Sequence, residues 1–158
     1  MYNFNYHCPS SLQEAESLYA KSEDPMFLAG GHTLLPTMKQ RLNAPTDLID
    51  LAGLTELAGI SREGDVLQIG AYTRHADVAA SELVQAAIPA LAKLARGIGD
   101  TQVRNRGTIG GSVANNDPAA DYPAALLGLG ATVVTTKRAV PADEFFVDMF
   151  ETVLEEGE

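Results

Sequence analysis

Pro25-Met26-Phe27-Leu28-Ala29-Gly30-Gly31-His32-Thr33-Leu34-Leu35-Pro36 runs from an apolar segment into a glycine pair and out into a second apolar segment. Pro25 to Ala29 reads as a buried strand, and Leu34 to Arg41 as the helix after it. Working outward, Asn3 to His7 alternates like a short strand. Ser11-Leu12-Gln13-Glu14 fits a capping box opening a helix through Ala20, with Leu12, Ala15, Leu18 and Tyr19 on one face. Leu48 to Leu51 is extended again. Strand, helix, strand, helix, strand with this spacing predicts parallel pairing, so residues 1–55 are expected to form a small βαβ-type lobe. Its Gly-Gly turn lies at the carboxyl end of a strand, where open α/β sheets bind ligands.

From Glu56 the pattern changes. Gly59-Ile60-Ser61 and Val66 to Ala71, joined by Arg62-Glu63-Gly64-Asp65, suggest an antiparallel hairpin, and Thr73 a helix cap. Ser81 to Ala95 has helical spacing broken at Pro89, Asp121 to Leu129 reads as a helix, and Ala131 to Thr135 as a strand. The expected class is α+β, with residues 56–158 as a second, more helical α+β lobe.

Composition narrows the function. The 158 residues are 46% apolar, enough for a real core, and carry 11 basic against 21 acidic residues, a formal charge of −10. No concentrated basic stripe exists to track phosphates, so nucleic acid is not an expected partner. No apolar run approaches a membrane span, and the polar start MYNFNYHCPS lacks a signal-peptide core, so the expected location is cytoplasmic. Cys8 is the only cysteine, which excludes an internal disulfide and a cysteine-ligated iron–sulfur cluster. Redox chemistry would have to come from a cofactor.

Several catalytic motifs fail. Gly97-Ile98-Gly99-Asp100-Thr101-Gln102 lacks the third glycine of a dinucleotide fingerprint, and no P-loop occurs. Gly110-Gly111-Ser112-Val113-Ala114 approximates a nucleophile elbow, but Ala114 replaces its closing glycine and all three histidines lie upstream. His7, His32 and His75 are too scattered for a metal motif, and His75 is expected at the surface or in a cap. The set therefore holds no catalytic residue and no metal ligand.

Two acid-free windows remain: Pro25 to Thr46, and Thr101 to Asn116 with Arg104 and Arg106. Each contains a glycine pair, Gly30-Gly31 or Gly110-Gly111, whose N–H groups could form an anion nest. Thr33, Thr108 and Ser112 could donate to phosphate oxygens, and a helix opening near Leu34 would aim its dipole at the same charge. Asp121 fits either a ribose-hydroxyl acceptor or the N-cap of the helix beginning Tyr122-Pro123.

AGGHTLLPTMKQRL and RNRGTIGGSVANNDPAADYPAALLGLGA closely resemble the two FAD motifs of the flavoprotein (medium) subunit of carbon monoxide dehydrogenase/xanthine dehydrogenase-type molybdenum hydroxylases. The resemblance runs on through IGAYTRHADV and VPADEFFVDMFETVLEEGE. It implies the p-cresol methylhydroxylase/vanillyl-alcohol oxidase type of FAD-binding fold, with two α+β lobes around an extended FAD. It further implies that Ala29, Gly30, Gly31, His32, Thr33, Leu34 and Leu35, with Thr108, Ile109, Gly110, Gly111 and Ser112, wrap the pyrophosphate. Asp121 would contact the adenosine side, and Ile98 would make a weaker apolar contact. The implied function is electron transfer: a molybdopterin large subunit oxidises substrate, an iron–sulfur small subunit with 2Fe–2S clusters relays electrons, and FAD passes them to an external acceptor.

Members of that family continue into a C-terminal lobe beside the flavin, which this chain is expected to lack. Phe145, Phe146, Met149 and Phe150 would then form an exposed aromatic cluster open to self-association, within a run of seven acids from Asp143 to Glu158 that contains no base. The alternative function is a non-catalytic scaffold or remnant that keeps the fold without FAD.

Overall fold

The computed structural model describes residues 1–158. Three parallel strands, β1 (Asn5–His7), β2 (Pro25–Leu28) and β3 (Asp47–Asp50), form a sheet in the order β1-β3-β2. Consecutive side chains of a strand point to opposite faces, and central β3 is apolar on both. Leu48 packs with Leu28 and Met38 of helix α2 (Leu34–Lys39), while Ile49 packs with Ala15 of helix α1 (Leu12–Lys21) and with Leu54. Both faces of the sheet are thereby covered.

The α1 cap differs in detail from the expected box. Ser11 Oγ accepts from Glu14 N–H at 3.2 Å, but the Glu14 carboxylate reaches Ser10 N–H and Oγ at 2.8 and 2.9 Å, one residue earlier. At the other end of the sheet, the Asp50 carboxylate accepts Ala52 N–H at 2.9 Å, so the chain turns at Leu51 into two 3₁₀ turns, Leu51–Gly53 and Thr55–Leu57.

The hairpin β4 (Ile60–Glu63) and β5 (Val66–Ile69) follows, then helices α3 (His75–Ala80), α4 (Glu82–Ala87), α5 (Pro89–Gly97), α6 (Thr101–Arg104), α7 (Ile109–Asn115) and α8 (Asp121–Leu129). Pro89 ends one helix and serves as the first residue of the next, where its missing N–H has no bond to make. Gly130, left-handed at φ 59°, terminates α8. Two more hairpins flank helix α9 (Ala142–Phe145): β6 (Thr132–Val134) with β7 (Ala139–Pro141), and β8 (Phe146–Asp148) with β9 (Glu151–Thr152). Val78, Val84, Leu91, Ala95, Ile109, Val113, Tyr122 and Phe145 belong to one buried cluster. No helix is long and apolar enough to cross a membrane.

Four expectations are corrected here. Thr73 does not cap a helix: it is 3% exposed, its hydroxyl bridges the N–H and carbonyl of Gly59 at 3.0 Å each, and Arg74 is the residue before α3. His75 is no surface residue but is 5% exposed within the core region. Phe145 is likewise core, 1% exposed and edge-on to the half-buried Phe146 at 5.1 Å, so Met149 and Phe150 alone remain of the expected exposed cluster. The acidic end is not free of partners, because Lys137 and Arg138 in the preceding hairpin pair with Glu155 and Glu158. The Arg138 guanidinium, with the Thr135 hydroxyl and Glu155 N–H donating as well, holds the Glu158 carboxyl down at about 2.

Candidate functional site: two glycine turns in contact

The structure brings the two glycine turns together. A Cβ on Gly30 would meet the Arg106 carbonyl and lie 2.7 Å from Gly107 Cα, and a Cβ on Gly111 would lie 3.7 Å from Ala29 Cβ. Glycine at position 30 is thus a packing requirement between segments distant in sequence. Gly31, at φ 75°, is where the chain needs the left-handed region to turn from β2 toward α2.

The first turn leaves its donors free. N–H groups of Gly30, Gly31, His32, Thr33 and Leu34 donate to no acceptor within the chain. The side chains of His32 and Thr33 are exposed and likewise unpaired. A run of unpaired N–H groups around a left-handed glycine is a concavity that can accept an anion. The expected helix dipole adds little, because α2 has six residues and no side-chain cap.

The second turn is built differently. Ile109 N–H donates to Thr73 O at 3.0 Å, Gly110 N–H to Ala71 O at 2.8 Å, Gly111 N–H to Thr108 Oγ1 at 3.2 Å and Ser112 N–H to Thr108 O at 3.1 Å. The expectation that these N–H groups form an anion nest is therefore corrected: every one is spent inside the protein. Thr108, expected to face phosphate, is 2% exposed and caps α7. Gly110 is required because a Cβ there would fall 2.5 Å from Ala71 Cβ. Ser112 sits within α7 rather than on a strand-to-helix elbow, with its hydroxyl half-buried and unpaired.

Behind the second turn stands His75. Its N–H donates to Gly107 O at 3.0 Å, and its ring lies where a Cβ on Gly107 would be, 2.5 Å from Nε2. The ring centroid is 5.4 Å from that of Tyr122. Burial, with the nearby His32 adding to it, lowers the His75 pKa to about 4, and burial raises that of Tyr122. Both His75 Nδ1 and Tyr122 Oη are buried without a hydrogen-bond partner. Thr73, His75, Ala71 and Tyr122 are structural supports of the second turn that sequence reasoning did not place there; the small residues Gly70-Ala71 were the visible signal, since close backbone approach needs small side chains.

The remaining candidates sit around this junction. Arg104 does not face an anion: its Nη1 donates to the carbonyls of Ile98 and Gly99 at 3.0 and 2.9 Å and closes their loop. Ile98 itself is half-buried against the main cluster. Arg106 is exposed and makes no ion pair. Asp121 is the first residue of α8 and not its N-cap, a place held by Ala120, so its exposed carboxylate makes no capping bond. No group of three His, Cys, Asp or Glu side chains could hold a metal ion. The first turn, with its run of free neutral donors, the main chain of the exposed and unpaired Arg106 packed against it and no acid in either turn, offers the donor set a diphosphate takes.

A family model described as the FAD binding domain in molybdopterin dehydrogenase matches residues 2–158. The chain belongs to that family. It is 46% identical to the carbon monoxide dehydrogenase medium chain of Hydrogenophaga pseudoflava, covering 98% of this chain and 56% of the relative. It is 38% identical to the glyceraldehyde dehydrogenase medium chain of Sulfolobus acidocaldarius, covering 98% and 57%. The solved structure of the Hydrogenophaga pseudoflava carbon monoxide dehydrogenase lacking the Mo-pyranopterin moiety of its molybdenum cofactor superposes with a TM-score of 0.95, at 46% identity over 98% of this chain and 56% of that one. The chain thus spans a little over half the length of these relatives.

Proposed function

We propose that this chain is the FAD-holding part of an electron-transfer component of a molybdenum hydroxylase, taking electrons from iron–sulfur clusters of a small subunit and delivering them to an external acceptor. In this reading residues 1–55 and 56–158 are two lobes of the p-cresol methylhydroxylase/vanillyl-alcohol oxidase type, and FAD lies across their junction. FAD supplies when bound the redox chemistry that none of the chain's side chains has, Cys8 being a lone thiol. The chain's own work is binding and orientation. Gly30 to Leu34 donate N–H groups to the diphosphate, with the Thr33 and Ser112 hydroxyls beside them, and Asp121 accepts from a ribose hydroxyl. Ala29, Leu35, Ile98 and the segment from Thr108 to Gly111 form the walls. A molybdopterin large subunit would hold the substrate site.

The observation that carries this reading is the run of five unpaired N–H groups from Gly30 to Leu34 in contact with the second turn. Its test is Gly31→Val. A Cβ there meets the flexible Leu35 side chain at 2.8 Å, but φ 75° is closed to a β-branched residue, so the turn must change shape. Purified protein mixed with FAD and desalted should retain absorbance near about 450 nm in the parent and lose it in the variant, with circular dichroism little altered. Unchanged FAD affinity in the variant would sink the assignment of this turn.

A further inference from the structure

At the end of α7 away from the second turn, Asn116 adopts the left-handed conformation, φ 44° and ψ 47°, and is 9% exposed. Its side-chain amide donates to Asp148 O at 2.8 Å and to Glu151 O at 2.9 Å, and its main-chain carbonyl accepts Phe150 N–H at 3.0 Å. Three hydrogen bonds from one buried residue clamp the two-residue turn that joins β8 to β9. The Asp148 carboxylate adds a fourth by accepting Met149 N–H at 2.7 Å.

The clamped tip presents apolar side chains to solvent: Met149 is 69% exposed and Phe150 60%, with Val147 beside them at 57%. Phe150 also has φ 58°, a conformation that glycine or asparagine fills without the Cβ conflict an aromatic residue brings. A phenylalanine left 60% exposed there buries less than half of its surface while straining its own backbone, a poor exchange for folding alone. Asp148 and Glu151 flank the tip, exposed and outside every ion pair of the chain.

We propose that the Met149–Phe150 turn docks into a different protein chain, whose receiving surface is an apolar pocket rimmed by lysine or arginine. An aromatic anchor with its neighbour fills such a pocket, the acidic flanks match a basic rim, and the clamp from Asn116 removes the ordering cost before contact. The inference does not depend on flavin binding, since the tip lies outside both glycine turns, and flavin content read in the same samples tests that assignment separately.

The experiment uses the protein as its source cells make it, isolated together with whatever chains accompany it. Replacing Phe150 with p-benzoylphenylalanine and irradiating should give a cross-link to another chain, mapping to apolar residues with lysine or arginine adjacent. Phe150→Gly, which relaxes the turn, should melt at the same temperature or higher, yet associate with that chain at least tenfold more weakly. Added salt should weaken the parent association further. A cross-link within the same polypeptide or to a second copy of it, no cross-link at all, or parental association by Phe150→Gly would overturn the proposal.

Discussion

The turn Gly30 to Leu34 and the turn Thr108 to Ser112 have the same composition, glycine pairs with hydroxyl residues and no acid, yet their backbones are used in opposite ways. In the first, five consecutive N–H groups have no internal acceptor; in the second, all from Ile109 to Ser112 are taken up by Ala71, Thr73 and Thr108. The first turn follows an edge strand, β2, and no acceptor of the chain comes within bonding distance of its N–H groups. The second is pressed against the segment Ala71 to His75, which supplies carbonyls at bonding distance. A glycine pair therefore leaves its N–H groups free in one place and serves close packing in the other, and in the function proposed above the first turn is the binder while the second is its brace.

The largest expected effect tests the brace. Gly110→Ala would push a methyl group to 2.7 Å from the Ala71 carbonyl oxygen, a backbone atom that cannot swing aside. Overpacking of this kind should lower the unfolding free energy by about 3 kcal/mol in the absence of FAD. Urea melting of the apoprotein measures it, and an unchanged midpoint would mean that the second turn braces nothing.

Acid should weaken the same brace. Burial holds the His75 pKa at about 4 in the folded protein against 6.5 when unfolded, so between those values the unfolded chain binds the extra proton. The stability due to neutral His75 is complete above about pH 6.5 and is lost as pH falls toward 4. At 1.36 kcal/mol per pKa unit this amounts to roughly 3 kcal/mol in all, about 2 of it by pH 5. Urea midpoints at pH 7.5 and 5 should differ accordingly in the parent, and His75→Gln should remove that part of the slope. An identical pH slope in the variant would show that His75 is not the titrating group.

The smallest effect separates the turns most sharply. Thr108→Ala removes the α7 cap and should cost about 1 kcal/mol of fold stability. Thr33→Ala removes an exposed, unpaired hydroxyl, so melting should not change, while FAD binding should weaken by about 1 kcal/mol, roughly fivefold. Paired thermal melts and FAD titrations check both, and reversed results would exchange the roles assigned to the two turns.

Local order was largely legible in the residues. Helix α8 was read with both ends correct, and the break between α4 and α5 at Pro89 follows from a ring that cannot sit inside a helix. The parallel sheet followed from spacing alone. Thr73 and His75 were misread because Thr-Arg-His-Ala-Asp looks like a helix start in isolation, whereas Ile109 and Gly107 arrive from a distant segment to occupy Thr73 O and the His75 N–H. Phe145 was misplaced for a related reason: the cluster that buries it is assembled from residues of other helices, Val113 and Tyr122 among them.

By itself the sequence determined the elements, the class, the family motifs and the positions of the two glycine pairs, because helix periodicity, strand alternation and turn chemistry act within a few residues. Only the tertiary structure decided which pair keeps its N–H groups free. Both turns carry equivalent donors along the chain, and a donor is free or spent according to whether a carbonyl from elsewhere comes within hydrogen-bonding distance, which is a property of packing.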